Sequence, residues 1–474
     1  MTKRKPKFLF INAVDNTREI QTSIPPLGLG YLISSLKEKF GDNAITFKII
    51  SDQIEREIKS FKPDIIGITS VSQNYNLAIK YAKIAKKYGL PVIIGGVHIT
   101  ALPSTLADEM DVAVVGEGEE TILDLFDTYK KRGVFDKKNL KKIKGIAFKQ
   151  RGKIVLTGKR KIIEPLDKIP MPDRSLMKIG SSASMFTSRG CPYRCTFCAS
   201  SRFWGKIRFF SAEYVVKEIK YLFNYYKVKR IDFWDDLFVA DRKRLKRIFF
   251  LLKKEKLLGR LSFACSVRSN LVDQELAKLL KKMGFERVSM GLESASPRTL
   301  EYLKGRNINL NNHLGAIKNL KKYKIQVGAS FIIGSPQETK TEILQTLKFI
   351  KKHQLRGFDV YVLTPLPGTP IWEYAKKNGL VNEKMNWNTL DVDFAKNHQK
   401  AIILSEKLTR EELYRLFLKF AQEQKRKLII YALNNPLKIP GYLIEEVKEK
   451  LLGKLYEHYV LLKTSVGFLK RKIS

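Results

Sequence analysis

Cysteine is scarce in this chain of 474 residues: there are four, and three of them fall within residues 191–198. Four thiols cannot build the disulfide framework of a secreted domain, and three crowded into one loop point to a metal site in a reducing compartment, the cytoplasm. Long apolar runs are missing too. Nowhere do about 18 apolar residues follow one another without a charge, so no helix is expected to span a bilayer unaided. The basic opening, Met1 to Lys7, is followed only by Phe8 to Val14 before Asp15, with no small-residue cleavage site, and reads as a first strand rather than a signal peptide. Internal repeats and low-complexity tracts are absent. Acidic residues are few, 47 against 88 Lys and Arg, which gives a formal charge of +41. The excess is spread out: residues 401–474 hold 15 basic and 8 acidic residues. It therefore reads as solvated helix faces, and nucleic acid is not an expected partner.

What is present is globular. Hydrophobic residues make up 44% and charged residues 28%, and the length calls for more than one core. Short apolar runs at Phe8–Asn12, Ile45–Ile50, Asp64–Ser70, Pro91–Val97 and Val112–Gly116 alternate with amphipathic stretches such as Tyr75–Tyr88. That alternation predicts a doubly wound parallel sheet. Such sheets bind ligands beyond the carboxyl ends of their strands, which here carry Ser70 to Asn74, Gly95 to His98 and Gly116 to Glu119.

From Gly145 to Thr157 the pattern changes to a hairpin, followed by Pro165, Pro170 and Pro172, whose fixed backbones suit an extended connector. Six further strands are predicted at Met185–Ser188, Arg230–Trp234, Leu261–Val267, Arg287–Glu293, Gln326–Ile333 and Asp359–Thr364, with helices between them, as in an open parallel barrel. Beyond Pro370 strand character is lost, and Leu408–Leu433 reads as a helix opened by Thr409. The organisation is an α/β domain at 1–142, a linker with hairpin at 143–183, a partial barrel at 184–395 and a helical region at 396–474.

Cys191, Cys195 and Cys198 stand as C-x3-C-x2-C directly after the first barrel strand. Zinc asks for four ligands, and no His or further Cys lies nearby, whereas a [4Fe–4S] cluster leaves one iron open for substrate. Cys265, alone in an apolar strand, reads as an inert buried thiol.

With its aromatic Phe197 before the last cysteine, this loop resembles that of the radical S-adenosylmethionine (SAM) enzymes. The resemblance implies a partial (β/α)6 barrel whose open iron holds SAM and reduces it to methionine and a 5′-deoxyadenosyl radical. It places the SAM site at Phe197, Asp235, Asp236, Arg268, Glu293, Ile332 and Gly334. Asp235 and Asp236 would meet the amino group, Arg268 the carboxylate, and Glu293 would lie near the ribose.

Pro25 to Leu32, Gly95 to Thr100, Gly116 to Thr121 and Pro172-Asp173-Arg174 resemble, more narrowly, the cobalamin-binding radical SAM subfamily. The likeness covers about residues 7–395. It implies a corrin across the strand ends of the first domain, at Ser70, Ser72, Gly95, Gly96, His98, Gly116, Glu117 and Gly118. The Asp-x-His-x-x-Gly motif that supplies a lower cobalt ligand elsewhere is missing, so cobalamin is expected without a protein histidine on cobalt.

The expected function is a cobalamin-dependent methyltransferase acting on an unactivated carbon. Methylcobalamin would supply the methyl group, and the 5′-deoxyadenosyl radical would take the hydrogen. Cyclisation or rearrangement with the same cofactors is the alternative, and a non-catalytic cobalamin or nucleotide sensor is the alternative from another class. Methylthiotransferases need three further cysteines upstream, and none precedes Cys191. Expected partners are a small-molecule or lipid substrate and an external low-potential electron donor. The mixed apolar and basic segment from Ile439 to Phe468 is a candidate for peripheral contact with an anionic membrane.

Overall fold

The computed structural model describes residues 4–15, 25–355 and 357–434. The segment from Ile439 onward, and with it the expected membrane contact, lies outside the described residues. Among the described residues no helix is long and apolar enough to cross a membrane.

The first sheet has seven strands in the order β2-β1-β3-β4-β5-β6-β7. β1 (Lys7–Ala13), β2 (Thr46–Ile50), β3 (Ile65–Ser70), β4 (Val92–Gly95) and β5 (Val112–Val114) are parallel, with helices on both faces. Their nearly continuous apolar sequences, such as Phe8-Leu9-Phe10-Ile11, fit strands buried on both sides. Gly67 of β3 has a packing reason. A Cβ there would lie 2.8 Å from the Phe10 ring, which stacks on Phe8 with centroids 4.3 Å apart. The strand order reverses between β1 and β3, which opens a ligand crevice at their carboxyl ends.

The hairpin does not stand in the connector. β6 (Ile146–Gln150) pairs antiparallel with β5, and β7 (Lys153–Leu156) with β6, so the hairpin extends the first sheet.

The second sheet has six parallel strands, β8 (Ser182–Met185), β11 (Arg230–Phe233), β12 (Ser262–Val267), β13 (Phe285–Glu293), β14 (Gln326–Ile333) and β15 (Gly357–Val362), joined in that order. Between β8 and β11, a two-residue strand β9 (Ser188–Arg189) pairs antiparallel with β10 (Arg208–Phe209). The helices between strands start at well-formed caps: Asp273, Ser296 and Thr369 each accept from the third backbone N–H beyond them. The helix Arg410–Asn434 begins with a reciprocal pair, Thr409 N–H to Glu412 and Glu412 N–H to the Thr409 hydroxyl.

The two domains share apolar cores. Ile371, Trp372, Trp387 and Leu404, from the segment after the barrel, pack in one cluster with Leu9, Ile68 and Tyr75 of the first domain. In return, Leu27 and Tyr31 join the barrel core. Burying a side chain of this size contributes about 1.5–3 kcal/mol, so the strand ends of the two sheets are held face to face.

Candidate functional site

The three-cysteine loop leaves β9 through Gly190, whose φ of +88° favours glycine and where a Cβ would lie 2.7 Å from the Lys206 carbonyl oxygen. All three thiols are free and partly accessible. One guanidinium organises the loop: Arg202 Nη1 donates to the carbonyls of Cys195 at 3.0 Å and Cys198 at 2.7 Å. The end of the helix Pro297–Lys304 holds the other side, the Leu303 carbonyl accepting from Thr196 N at 3.0 Å and the Lys304 carbonyl from Arg268 Nη2 at 3.1 Å. Arg268 also donates from Nη1 to Cys195 Sγ at 3.4 Å and lies 4.0 Å from the centre of the Tyr193 ring. Burial pushes the Cys191 thiol up to about 11 and the Cys198 thiol in the same direction, so loading a metal here releases protons. Among the described residues no three His, Cys, Asp or Glu side chains converge on one ion. Three thiols from one loop are the donor set of a [4Fe–4S] cluster with one open iron.

At the next strand ends, the residues expected to meet SAM divide. Asp236 lines the cavity between the domains and accepts from the Ser200 hydroxyl. Asp235 turns the other way: it is buried and accepts from Thr187 N at 3.0 Å, from the Thr187 hydroxyl at 2.9 Å and from the Ser188 hydroxyl. Burial raises its carboxyl to about 6. Both lie just beyond β11, where Asp235 fixes the segment leading into the cysteine loop and Asp236 faces the cavity. Glu293 has a left-handed backbone, φ +61°, at a register shift in β13. Such a non-glycine conformation costs about 1–3 kcal/mol and persists only where neighbours enforce it. The enforcing neighbour is Lys304, whose Nζ bonds Glu293 at 3.1 Å and the Gly291 carbonyl at 2.5 Å. Phe197 and Ile332 pack into the core shared by both domains. Gly334 holds φ +81°, donates its N–H to Glu338 at 2.7 Å, and sits under Leu413.

Opposite lies a cavity of about 310 Å³, walled by Gly28, Leu29 and Leu32, by the ends of β3 to β5, and by Trp204, Trp234 and Asp236 of the barrel. Of the residues expected to meet cobalamin, Gly95, Gly96, Gly116, Glu117 and Gly118 line it. Cβ atoms on Gly28 and Gly116 would project into open space. A slot with apolar and glycine walls fits a flat aromatic group such as the base of cobalamin's nucleotide tail.

Ser70, Ser72 and His98 do not line this cavity. Ser70 bonds the Val71 carbonyl at 2.8 Å. His98 is fully buried, with Nδ1 3.1 Å from the Ser72 hydroxyl, Nε2 3.1 Å from the Thr105 hydroxyl and its ring stacked on Tyr75 at 3.8 Å. Both nitrogens are engaged, which leaves none for cobalt. Burial lowers its pKa to about 3. Unfolded histidine titrates at about 6.5, so between those values the unfolded chain binds the extra proton and stability falls as the pH is lowered, by up to about 1.4 kcal/mol per unit. Urea melts at pH 7, 6 and 5 should show the wild-type advantage over His98→Gln shrinking steadily.

Glu117 is the hub between the domains. It accepts from Arg189 Nη1 at 2.6 Å, Arg208 Nη1 at 2.9 Å and Ile163 N at 2.8 Å, while Arg189 also pairs with Glu119. Arg189 lies 5.0 Å from the Trp204 ring centre and 5.5 Å from that of Tyr31. Nothing in the sequence marked Arg202, Arg208 or Lys304. A basic residue beside the cysteine loop was the only available signal.

The comparisons with known proteins agree with this geometry. The Radical SAM superfamily matches residues 185–350 and the B12 binding domain residues 14–126. The chain is 38% identical over 387 residues to the uncharacterized methyltransferase PH0819 of Pyrococcus horikoshii, covering 78% of this chain and 82% of that one. It is 26% identical to the anaerobic magnesium-protoporphyrin IX monomethyl ester cyclase of Cereibacter sphaeroides, covering 77% of this chain and 63% of the cyclase. In fold it resembles the cobalamin-dependent SAM radical enzyme OxsB with aqua-cobalamin and SAM bound, with a TM-score of 0.67, 16% identity, and coverage of 95% of this chain and 75% of OxsB. With a three-cysteine loop in one matched domain and a glycine-walled slot in the other, the chain belongs to the cobalamin-binding radical SAM enzymes.

Proposed function

We propose that the protein is a C-methyltransferase acting on an unactivated carbon of a small molecule, fed by an external low-potential electron donor. The observation that carries this reading is the single cavity in which Trp234 and Asp236 of the barrel face Gly95, Gly116 and Gly118 of the first domain. Bound there, the cluster and SAM supply a hydrogen-abstracting radical, and cobalamin carries the methyl group.

The chain's own task is placement. Arg268 keeps a buried Nε without a partner, a donor suited to a carboxylate. Asp236 offers its charge to an ammonium, and Lys304 fixes Glu293 for a hydroxyl. Phe203, Trp204 and Trp234 give the cavity an aromatic wall. The likeness to a cyclase favours ring formation without methyl transfer as the second reading. Release of S-adenosylhomocysteine separates the two.

Filling the slot tests the cobalamin assignment. Gly28 lies in the helix Leu27–Phe40, where most residues outrank glycine. Overfilling costs about 1–3 kcal/mol, or roughly tenfold to a hundredfold in affinity. Gly28→Phe is therefore expected to bind hydroxocobalamin that much more weakly by absorption titration, with wild-type iron content at the cluster. Unchanged corrin affinity would count against the slot.

A further inference from the structure

The inner face of the barrel sheet is polar. On β12 to β14 the apolar residues Phe263, Cys265, Met290, Leu292, Phe331 and Ile333 belong to the core packed against the helices. Apart from Ile332 at the end of β14, the alternate residues, on the concave face, are small or polar, whereas a closed barrel of this type fills its interior with bulky branched side chains. The registers align Ser266, Ser289, Gly328 and Gly357 into one row across four strands. At about 4.8 Å per strand the row is a trough about 14 Å long.

Arg287 lies along one side of the trough. A Cβ on Gly328 would sit 3.4 Å from its Nε and Nη2, so the guanidinium is laid over the trough floor. It is exposed and has no hydrogen bond or ion pair among the described residues. The row on the other side is Gly291, Ser330 and Asp359. Asp359 reaches solvent, yet the surrounding walls push its carboxyl upward and Arg287 pulls it back. Toward the mouth stand Trp234, 46% exposed, and Tyr361, 37% exposed.

We infer that this trough seats the substrate, and that the substrate is a hydrophilic anion bearing hydroxyl groups, not a lipid or a tetrapyrrole. The inference rests on the methyl-transfer reading above. A guanidinium with no hydrogen bond of its own takes a carboxylate or phosphate through two parallel bonds. The serine hydroxyls and Asp359 complement hydroxyl groups, and the glycines let a ligand approach the backbone. An apolar occupant would strand these groups at about 1–3 kcal/mol each. Trp234 and Tyr361 are left to contact the reacting carbon at the mouth.

The test uses the protein loaded with cluster and cobalamin, titrated with ribose 5-phosphate, gluconate and zinc protoporphyrin IX and followed by saturation-transfer NMR. The phosphate and carboxylate arms identify which anion is held. The expected result is that at least one of the two sugar anions binds, that its affinity drops at least tenfold in both Arg287→Ala and Gly328→Leu, and that the porphyrin does not displace it. Binding of neither sugar anion, wild-type affinity in both variants, or displacement by the porphyrin would each overturn the inference. Circular dichroism and the bound-corrin spectrum report whether the variants fold. If Gly328→Leu does not, Arg287→Ala decides. Failure of the wild type to cleave SAM to 5′-deoxyadenosine would overturn the functional reading instead, whatever the probes do.

Discussion

Glu117→Ala is expected to destabilise the protein by about 3–5 kcal/mol, the cost of removing one partner from a buried ion pair. The carboxylate sits among Arg189, Arg208 and the Ile163 N–H, and all three charged side chains are buried. Arg189 keeps Glu119, but among the described residues the Arg208 side chain keeps only the Ile163 carbonyl, at 2.6 Å. Because Glu117 and Arg189 both line the cavity, the loss should also weaken corrin binding. Urea unfolding checks the stability, and corrin titration checks the wall. The sign of the pH effect follows from the same contacts. Burial alone would raise the Glu117 carboxyl, but the bonds from Arg208 and Arg189 carry it below its usual range. Its stabilisation is therefore complete above about 4.3 and is lost as pH falls through the lower folded value.

Arg202→Ala should lower retention of the iron-sulfur cluster by roughly tenfold to a hundredfold, the usual effect of removing an outer-shell partner. No cluster ligand changes. The substitution deletes two charge-assisted bonds, to the carbonyls of Cys195 and Cys198, each contributing about 1.5–3 kcal/mol. Without them the last turn of the loop, Cys195 to Cys198, is held mainly by Thr196 on Leu303 and by Arg268 on Cys195. Arg202→Lys keeps a charged donor, and because one nitrogen, Nη1, makes both bonds, it should restore part of the retention. Iron content after chelator challenge is the readout. Equal loss rates in wild type and Arg202→Ala would show that the loop does not depend on this guanidinium.

The strands were legible because each is an apolar run of strand length between helical stretches: the expected Gln326–Ile333 coincides with β14. The first barrel strand was misplaced toward Ser188. It ends at Met185 because Asp235, far along the chain, takes the Thr187 N–H out of the ladder. The cysteine loop was legible because its ligands are local in sequence. The facing of single residues was not, since a polar pair just past a strand end, such as Asp235-Asp236, reads the same whichever member faces the cavity. Nor could a serine or histidine beside glycines be told from a ligand: Ser72 and His98 satisfy each other, and only tertiary packing decides that. Long-range pairing hid the rest. Glu117 meets partners 72 and 91 residues away, and the hairpin's attachment to β5 left no local trace.

The central claim is that one chain brings a radical-generating cluster and a corrin to a common cavity. Anaerobic reconstitution with iron, sulfide and hydroxocobalamin, followed by SAM and a low-potential reductant, tests it most directly. The expected result is a bound corrin spectrum together with 5′-deoxyadenosine and S-adenosylhomocysteine, with 5′-deoxyadenosine absent from Cys195→Ala. Formation of 5′-deoxyadenosine by protein that takes up no corrin would contradict it.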